Sequence, residues 1–487
     1  DLFYRHRAGR PPLPYPLAAL GGGWPVRIAV LAGAALLGPS VYSWVLGIGA
    51  LWLALVVVPE SLGSALASLR PPGRVYPDRP PLTGPARLRL AKSIIRRAVS
   101  VPVSRFLMAL VPPRRHALVG GLPDTEENSL TTALGLTRRY AGRVIMVAND
   151  VAVVTRQLHR VAGLLGRPEA ADAVTVVPKA GWRTYWTFVT AELVCYTHGL
   201  YDSPRPLRRR VHVNLWHGTG PKWNANANFA QRIGAQAHSA SSPLWGLEAI
   251  RALSMRPDTA LVTGNPRQDV IAAATDRSVL PGVGIDPDRP FVLWLPTFRN
   301  SSAAGLVGLT EGEPLSAEAG RAFTAAAEQA DVQLIAKPHR LDAARLGELG
   351  LRVITDDDLA AAGVTLYQLI GLADGMLSDY SSVWVDYLDL GRSIGLYVPD
   401  LDRYADGRGL NLPLLGDVAG ELIVTEQTAA DFFAAVAAGK CFAEDGQQAL
   451  RRRLAMISVP LGERTDRMIT EIAELARSRY RTDLGLS

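Results

Sequence analysis

Cysteine is scarce: only Cys195 and Cys441 occur in 487 residues, far apart in the chain. Two such thiols cannot frame a disulfide-stapled fold, and a reducing compartment suits them. The eight histidines are scattered, with no HxxxH spacing and no His/Cys cluster, which argues against a built-in zinc site. No repeat of 20–50 residues is present, and 45 Gly with 34 Pro fall into no collagen-like period. Solenoids and fibres are thereby excluded. Charge is missing altogether between Ile28 and Val58, and that absence needs an explanation of its own.

What is present is long, apolar and unevenly charged. A chain of this length exceeds one core and implies two or three domains. With 48% hydrophobic and 20% charged residues, the composition is that of a globular protein with a membrane-facing part. The net charge of +7 is not spread evenly. Residues 1–59 carry +3 and residues 60–115 carry +9, leaving −5 for 116–487. The main body is therefore mildly acidic, and nucleic acid is not its partner. The basic collar suits an anionic membrane surface.

An uncharged run from Ile28 to Val58 predicts a membrane segment. Gly38-Pro39-Ser40 breaks it, so a kinked span and a re-entrant hairpin both fit. Within 60–115, Ile94, Ile95, Val99, Phe106, Leu107 and Leu110 alternate with Arg96, Arg97 and Arg105. The pattern predicts a basic amphipathic helix in the interface, interrupted by Pro102; an ordinary surface helix is the plainer alternative. The arginine excess puts this side in the cytoplasm.

Beyond residue 115, short apolar runs alternate with helical stretches, which predicts parallel α/β sheets. Strands are expected at 116–121, 143–147, 174–177, 193–196, 211–215 and 261–263, then at 291–295, 333–336, 352–354, 376–378 and 394–398. Pro281-Gly282-Val283-Gly284 with Pro287 reads as a linker. The expected organisation is a tail and membrane segment (1–59), a basic interfacial linker (60–115), a first Rossmann-like domain (116–284) and a second (285–487) ending in a helical tail. Ligands of such sheets lie at the carboxyl ends of strands.

Five motifs fall at those ends. Trp216-His217-Gly218-Thr219, then Gly220, Pro221 and Lys222, follow one strand. Imidazole titrates near neutrality, so His217 can take a proton from an attacking alcohol; a structural histidine bonded to a loop carbonyl is the alternative. In Gly264-Asn265-Pro266-Arg267-Gln268-Asp269, Arg267 can fork onto a phosphate or lie in a solvated turn. In Leu295-Pro296-Thr297-Phe298-Arg299, the backbone and hydroxyl of Thr297 suit a nucleotide, against an ordinary strand exit. Lys337-Pro338-His339-Arg340 bunches cationic groups that suit a pyrophosphate, against a basic turn in solvent. In Ser378-Asp379-Tyr380-Ser381-Ser382, the two last serines fall where a helix should begin. There they can hold phosphate oxygens, or Ser381 can simply cap the helix. Asp386, one turn on, can reach a ribose or polyol hydroxyl. Other polar runs carry less. Arg208-Arg209-Arg210 reads as a solvated turn, with an anionic polymer as the alternative partner, Asp356-Asp357-Asp358 as a loop before a helix rather than a metal triad, and Thr197-His198-Gly199 as a weaker cleft candidate.

In this order the motifs closely resemble those of the CDP-glycerol glycerophosphotransferase family, the teichoic acid polymerases and primases of bacterial walls. That family's motifs read WHGTPLK, GxPRND, PTWR, KPHP and SDYSS followed by Asp. The resemblance covers residues 115–480. Leu366–Leu377 and Tyr404–Gly409 also resemble family segments. Gly220-Pro221, Gln268 and Arg340 depart from its usual Pro-Leu, Asn and Pro. The resemblance implies an α/β fold with two Rossmann-like domains in a GT-B-type arrangement. It implies transfer of a polyol phosphate, glycerol phosphate foremost, from a CDP-polyol to a lipid-linked polyol-phosphate acceptor at the bacterial cell membrane, with release of CMP. By matching positions it implies donor contacts from Gly218, Thr219, Gly220, Pro221, Arg267, Pro296, Thr297, Lys337, Pro338, Ser381, Ser382 and Asp386. His217 and His339 are expected to be catalytic. The residues call for no metal, and the resemblance leaves Mg2+ open. A GT-B nucleotide-sugar glycosyltransferase and a non-catalytic membrane scaffold are the competing readings.

Overall fold

The computed structural model describes residues 96, 99–204, 206, 209–216, 218, 220, 234–247, 259–297, 316–338, 346–347, 350–407, 410, 420–453, 459–480 and 482–486. Residues 107–226 and 232–487 belong to one compact unit, which contains two parallel sheets. The first is built from β1 (Arg114–Gly120), β2 (Arg143–Ala148), β3 (Val174–Pro178), β4 (Ala191–Tyr196), β5 (Val211–Asn214), β6 (Ala237–Ala240) and β7 (Ala260–Val262), in the order β3-β2-β1-β4-β5-β6-β7. The second comprises β8 (Phe291–Leu295), β9 (Gln333–Ala336), β10 (Arg352–Val353), β11 (Gly375–Ser378) and β12 (Ser393–Leu396), in the order β10-β9-β8-β11-β12. All the pairings in both sheets are parallel.

The strands form where apolar runs can be covered on both faces. All six residues of β4 and all five of β8 are buried, as parallel strands under crossover helices must be. Helix α1 (Glu127–Arg139) follows β1, and α2 (Val151–Leu164) follows β2; Asp150 caps α2 by accepting the Val153 amide at 3.0 Å. Strand order reverses between β1 and β4 in the first lobe and between β8 and β11 in the second. Those are the places where a doubly wound sheet opens a crevice for ligands.

Eleven strands coincide with expected runs to within two residues at either end. β6, Ala237-His238-Ser239-Ala240, was not expected, because it carries no β-branched or large apolar side chain. Its four residues are nonetheless fully buried, and its place between β5 and β7 makes it a strand. The expected linker is a 3-10 helix over Arg277–Val283 that ends with Gly284 at φ 71°. The last helix of the tail does not stay with the second lobe. α3 (Arg464–Tyr480) packs on α1 and β7 of the first sheet, and Leu486 bridges to Tyr140.

Two expectations near the basic collar are corrected. Residues 99–110 are helical straight through Pro102. Arg210, read as part of a solvated turn, is 2% exposed. Its guanidinium donates to the carbonyls of Met108, Val111 and Val189 at 2.8, 2.5 and 3.2 Å, which satisfies carbonyls at a helix end. The Ile28–Val58 run lies outside the described residues. Among the described residues no helix is long and apolar enough to cross a membrane.

Candidate active site

The first-lobe loop after β5 meets the second-lobe motif loops at the reversal point of the second sheet. In the second lobe, β8 exits into Pro296-Thr297 and β11 into Asp379-Tyr380-Ser381-Ser382. Asp379 joins them. Its carboxylate accepts the Thr297 amide at 2.9 Å, the Thr297 hydroxyl at 2.6 Å and the Ser381 amide at 3.1 Å. The Ser381 N–H, expected to meet a phosphate, is therefore taken within the protein. The short helix α4 (Val383–Tyr387) begins after Ser382, without a side-chain cap. Tyr380 stacks on Tyr404 with ring centroids 3.7 Å apart and donates to Asp400 at 3.0 Å. This fixes the turn from below. Lys337, at the end of β9, lies 2.5 Å from Asp356. Asp356 opens a helix (Asp356–Ala362) that Thr355 caps through a capping box with Asp358.

The first lobe contributes the loop after β5. A Cβ on Gly220 would lie 2.7 Å from the Ser382 backbone, and one on Gly218 would collide with the Ser382 hydroxyl. Glycine at both positions lets this loop touch the start of α4. Beside it, His198 stacks on Trp216 with centroids 6.5 Å apart. Burial and the charge of Lys179 push its imidazole down to about 4, so it is neutral near pH 7.

Arg267 and Asp386, expected to face the donor, face each other across the lobes. Arg267 Nη2 and Nε donate to Asp386 Oδ2 at 2.6 and 3.0 Å, and Nη1 donates to Glu126 Oε1 at 3.1 Å. Asn265 and Tyr367 also donate to Asp386, at 2.8 and 3.2 Å. The guanidinium lies over the Tyr367 ring, 4.8 Å from its centroid. Arg267 is 3% and Asp386 1% exposed. A second buried pair, Arg464 with Asp389 at 2.7 Å, and the bonds that the amides of Gly462, Arg464 and Thr465 donate to Asp269 tie the tail into the same region.

One guanidinium here serves two carboxylates, and Glu127 adds a third nearby. Burial pushes Glu126 up to about 7, against the pull of Arg267. It pushes Glu127 up to about 7 as well, and the Tyr367 amide and Thr365 side chain pull it back. Because this folded value lies above the ordinary 4.5, the neutral carboxyl contributes stability in full below about pH 4.5, and this is lost as pH rises through about 7. Glu127→Gln should therefore gain on the parent protein as pH rises, by at most about 1.4 kcal/mol per unit across that window. Urea titrations at pH 5.5 and 8 measure the gap. Equal gaps would mean that the carboxyl ionises as it does in the unfolded chain.

Of the residues expected at the site, Gly218, Gly220, Pro296, Thr297, Ser381 and Ser382 are brought to the reversal-point loops. Lys337 and Pro338 end the adjacent strand. His217, Thr219, Pro221 and His339 lie outside the described residues. Glu126, Asn128, Tyr367 and Asp379 were missed. Asp379 alone had a usable signal, a carboxylate inside the serine motif at a strand end. Among the described residues no group of three or more His, Cys, Asp or Glu is arranged to hold a metal ion.

Two Rossmann-type sheets with motif-bearing loops at their carboxyl ends define a GT-B-type, two-lobed transferase fold. The chain belongs to the CDP-glycerol:poly(glycerophosphate) glycerophosphotransferase family, whose sequence model matches residues 151–472. It is 24% identical over 247 residues to the teichoic acid poly(glycerol phosphate) polymerase of Bacillus spizizenii, a match that covers 46% of this chain and 60% of that protein. A structure of the wall teichoic acid polymerase TagF is similar with a TM-score of 0.56 at 17% identity, over 80% of this chain and 97% of that one. A TagF variant soaked with CDPG gives 0.54 at the same identity and coverage.

Proposed function

We propose that the protein transfers a polyol phosphate, glycerol phosphate foremost, from a CDP-polyol to a lipid-linked polyol-phosphate acceptor in teichoic-acid-like polymer synthesis. The acceptor's terminal hydroxyl attacks the polyol-side phosphorus, the bond to the bridging pyrophosphate oxygen breaks, and CMP leaves. His217 takes the hydroxyl proton. His339 and Lys337 offset charge on the departing phosphate, and Thr297 and Ser382 line the donor side. The observation that carries this reading is the contact of Gly218 and Gly220 with Ser382, because it joins the family's first and last motifs at one reversal point. A TagF variant has been soaked with CDPG, which supports the choice of donor class.

The acceptor's lipid would hold the protein at an anionic membrane, with both lobes in the cytoplasm. The uncharged Ile28–Val58 run and the +9 of residues 60–115 support this. So do Val99, Val103 and Leu110, which share one helical face and are 62%, 43% and 64% exposed. The test incubates the full chain with a panel of CDP-alditols and lipid-linked acceptors, on neutral and on anionic vesicles. CMP release with chain growth, and binding that favours anionic vesicles, are expected. UDP release from a nucleotide sugar, with no CMP from any CDP-alditol, would make it a glycosyltransferase instead. Equal binding to both vesicle types would remove the electrostatic part of the membrane assignment.

A further inference from the structure

The backbone leading into the first-lobe motif is held mostly by side chains. β5 ends at Asn214, and the next two residues carry four main-chain polar groups that need partners. The Leu215 amide donates to the Tyr196 carbonyl at 2.8 Å, and the Leu215 carbonyl accepts from the Ser239 hydroxyl at 2.6 Å. The Trp216 amide donates to Asn214 Oδ1 at 2.8 Å, and the Trp216 carbonyl accepts from Asn128 Nδ2 at 3.3 Å. Trp216 has φ 55°, a left-handed conformation that a bulky residue adopts only when its surroundings impose it. Asn128 has a second partner, since its Oδ1 accepts the Arg267 amide at 3.0 Å. One buried carboxamide thus links the start of α1, the residue before His217 and the turn that carries Arg267.

We infer that Asn128 is a positioning residue for the transfer reaction. It fixes the backbone of Trp216, the residue before the proposed base. The inference rests on the reading of His217 as that base. Asparagine suits the place because one neutral donor and one neutral acceptor are needed. Aspartate keeps the acceptor for the Arg267 amide but loses the donor to Trp216, and it adds charge beside Glu126, Glu127 and Asp386. Lys337, Thr297 and Ser382, proposed above to face the donor, lie on the other lobe, so a displaced base slows turnover more than it weakens donor binding.

Asn128→Ala is therefore expected to lower kcat by about 10–100-fold, because a displacement of an ångström costs that much, while KM for CDP-glycerol changes by less than about threefold. Should the alanine chain not fold, Asn128→Asp and Asn128→Ser carry the same expectation. Ser129→Ala is the control. Ser129 is equally buried, and its hydroxyl donates to the Gly120 carbonyl at 3.1 Å, away from Trp216. Assayed well below each melting midpoint, it should keep the parent kcat. An Asn128 variant with kcat within twofold of the parent overturns the inference, as does an equal loss in Ser129→Ala. His217→Ala, run in parallel, separates the two claims. If it is dead while Asn128→Ala is active, only the positioning role falls. If it is active, the assignment of the base falls and the positioning role with it.

Discussion

Arg267→Met should destabilise the fold by about 3–5 kcal/mol, seen as a lower urea midpoint at pH 7 with an unchanged slope. The arginine is bonded to both Glu126 and Asp386, and its side chain is 4% exposed. Taking it away leaves two carboxylates in a dry place, where an uncompensated charge costs far more than the pair contributes. Glu126 is already pushed up to about 7 by burial, so it can relieve part of the cost by taking a proton. A neutral Glu126 is favoured at low pH and lost as pH rises, so the destabilisation should be smaller at pH 6 than at pH 8. Removing the carboxylates too, with Glu126→Gln and Asp386→Asn on the same chain, should recover much of the loss. A single Arg267→Met variant as stable as the parent would mean that the two lobes are not clamped here.

His217→Ala is expected to lose on the order of 10²–10⁴ in turnover, the usual worth of general-base help, while the unfolding midpoint stays put. A hydroxyl is a poor nucleophile until its proton has somewhere to go, and an imidazole can accept it near neutral pH. The adjoining loop carries glycines where it touches Ser382, so no bulk at those positions keeps the acceptor side away from the donor side. Steady-state CMP release at saturating donor and acceptor measures the loss. Release at the parent rate would remove His217 from the chemistry.

Motifs and clamp differ in how far they could be read from the chain. β8 is legible because Phe291-Val292-Leu293-Trp294-Leu295 is apolar throughout, and a run covered on both faces must be. β6 is illegible because Ala-His-Ser-Ala has no such pattern, and only the strands on either side make it one. Arg267 follows Gly-Asn-Pro in a turn, and a turn arginine reads alike whether it meets a phosphate or a carboxylate. Its partners are 119 and 141 residues away in sequence. Asp379 lies between a strand and two serines, but its partner Thr297 is 82 residues away in sequence, so no local pattern shows that the carboxylate holds the two loops together.

By itself the sequence determined the two-sheet α/β architecture, the motif loops at the strand ends and the family to which they belong. Strand burial, glycine turns and motif order are written in neighbouring residues, within reach of local sterics and periodicity. The tertiary structure alone decided which charges neutralise which. Arg267 meets Asp386 and Glu126, Lys337 meets Asp356, and Asn128 holds Trp216, because chain reversal brings together groups that no local pattern connects. Electrostatic partners depend on distance and dielectric, and both are set only when the lobes pack.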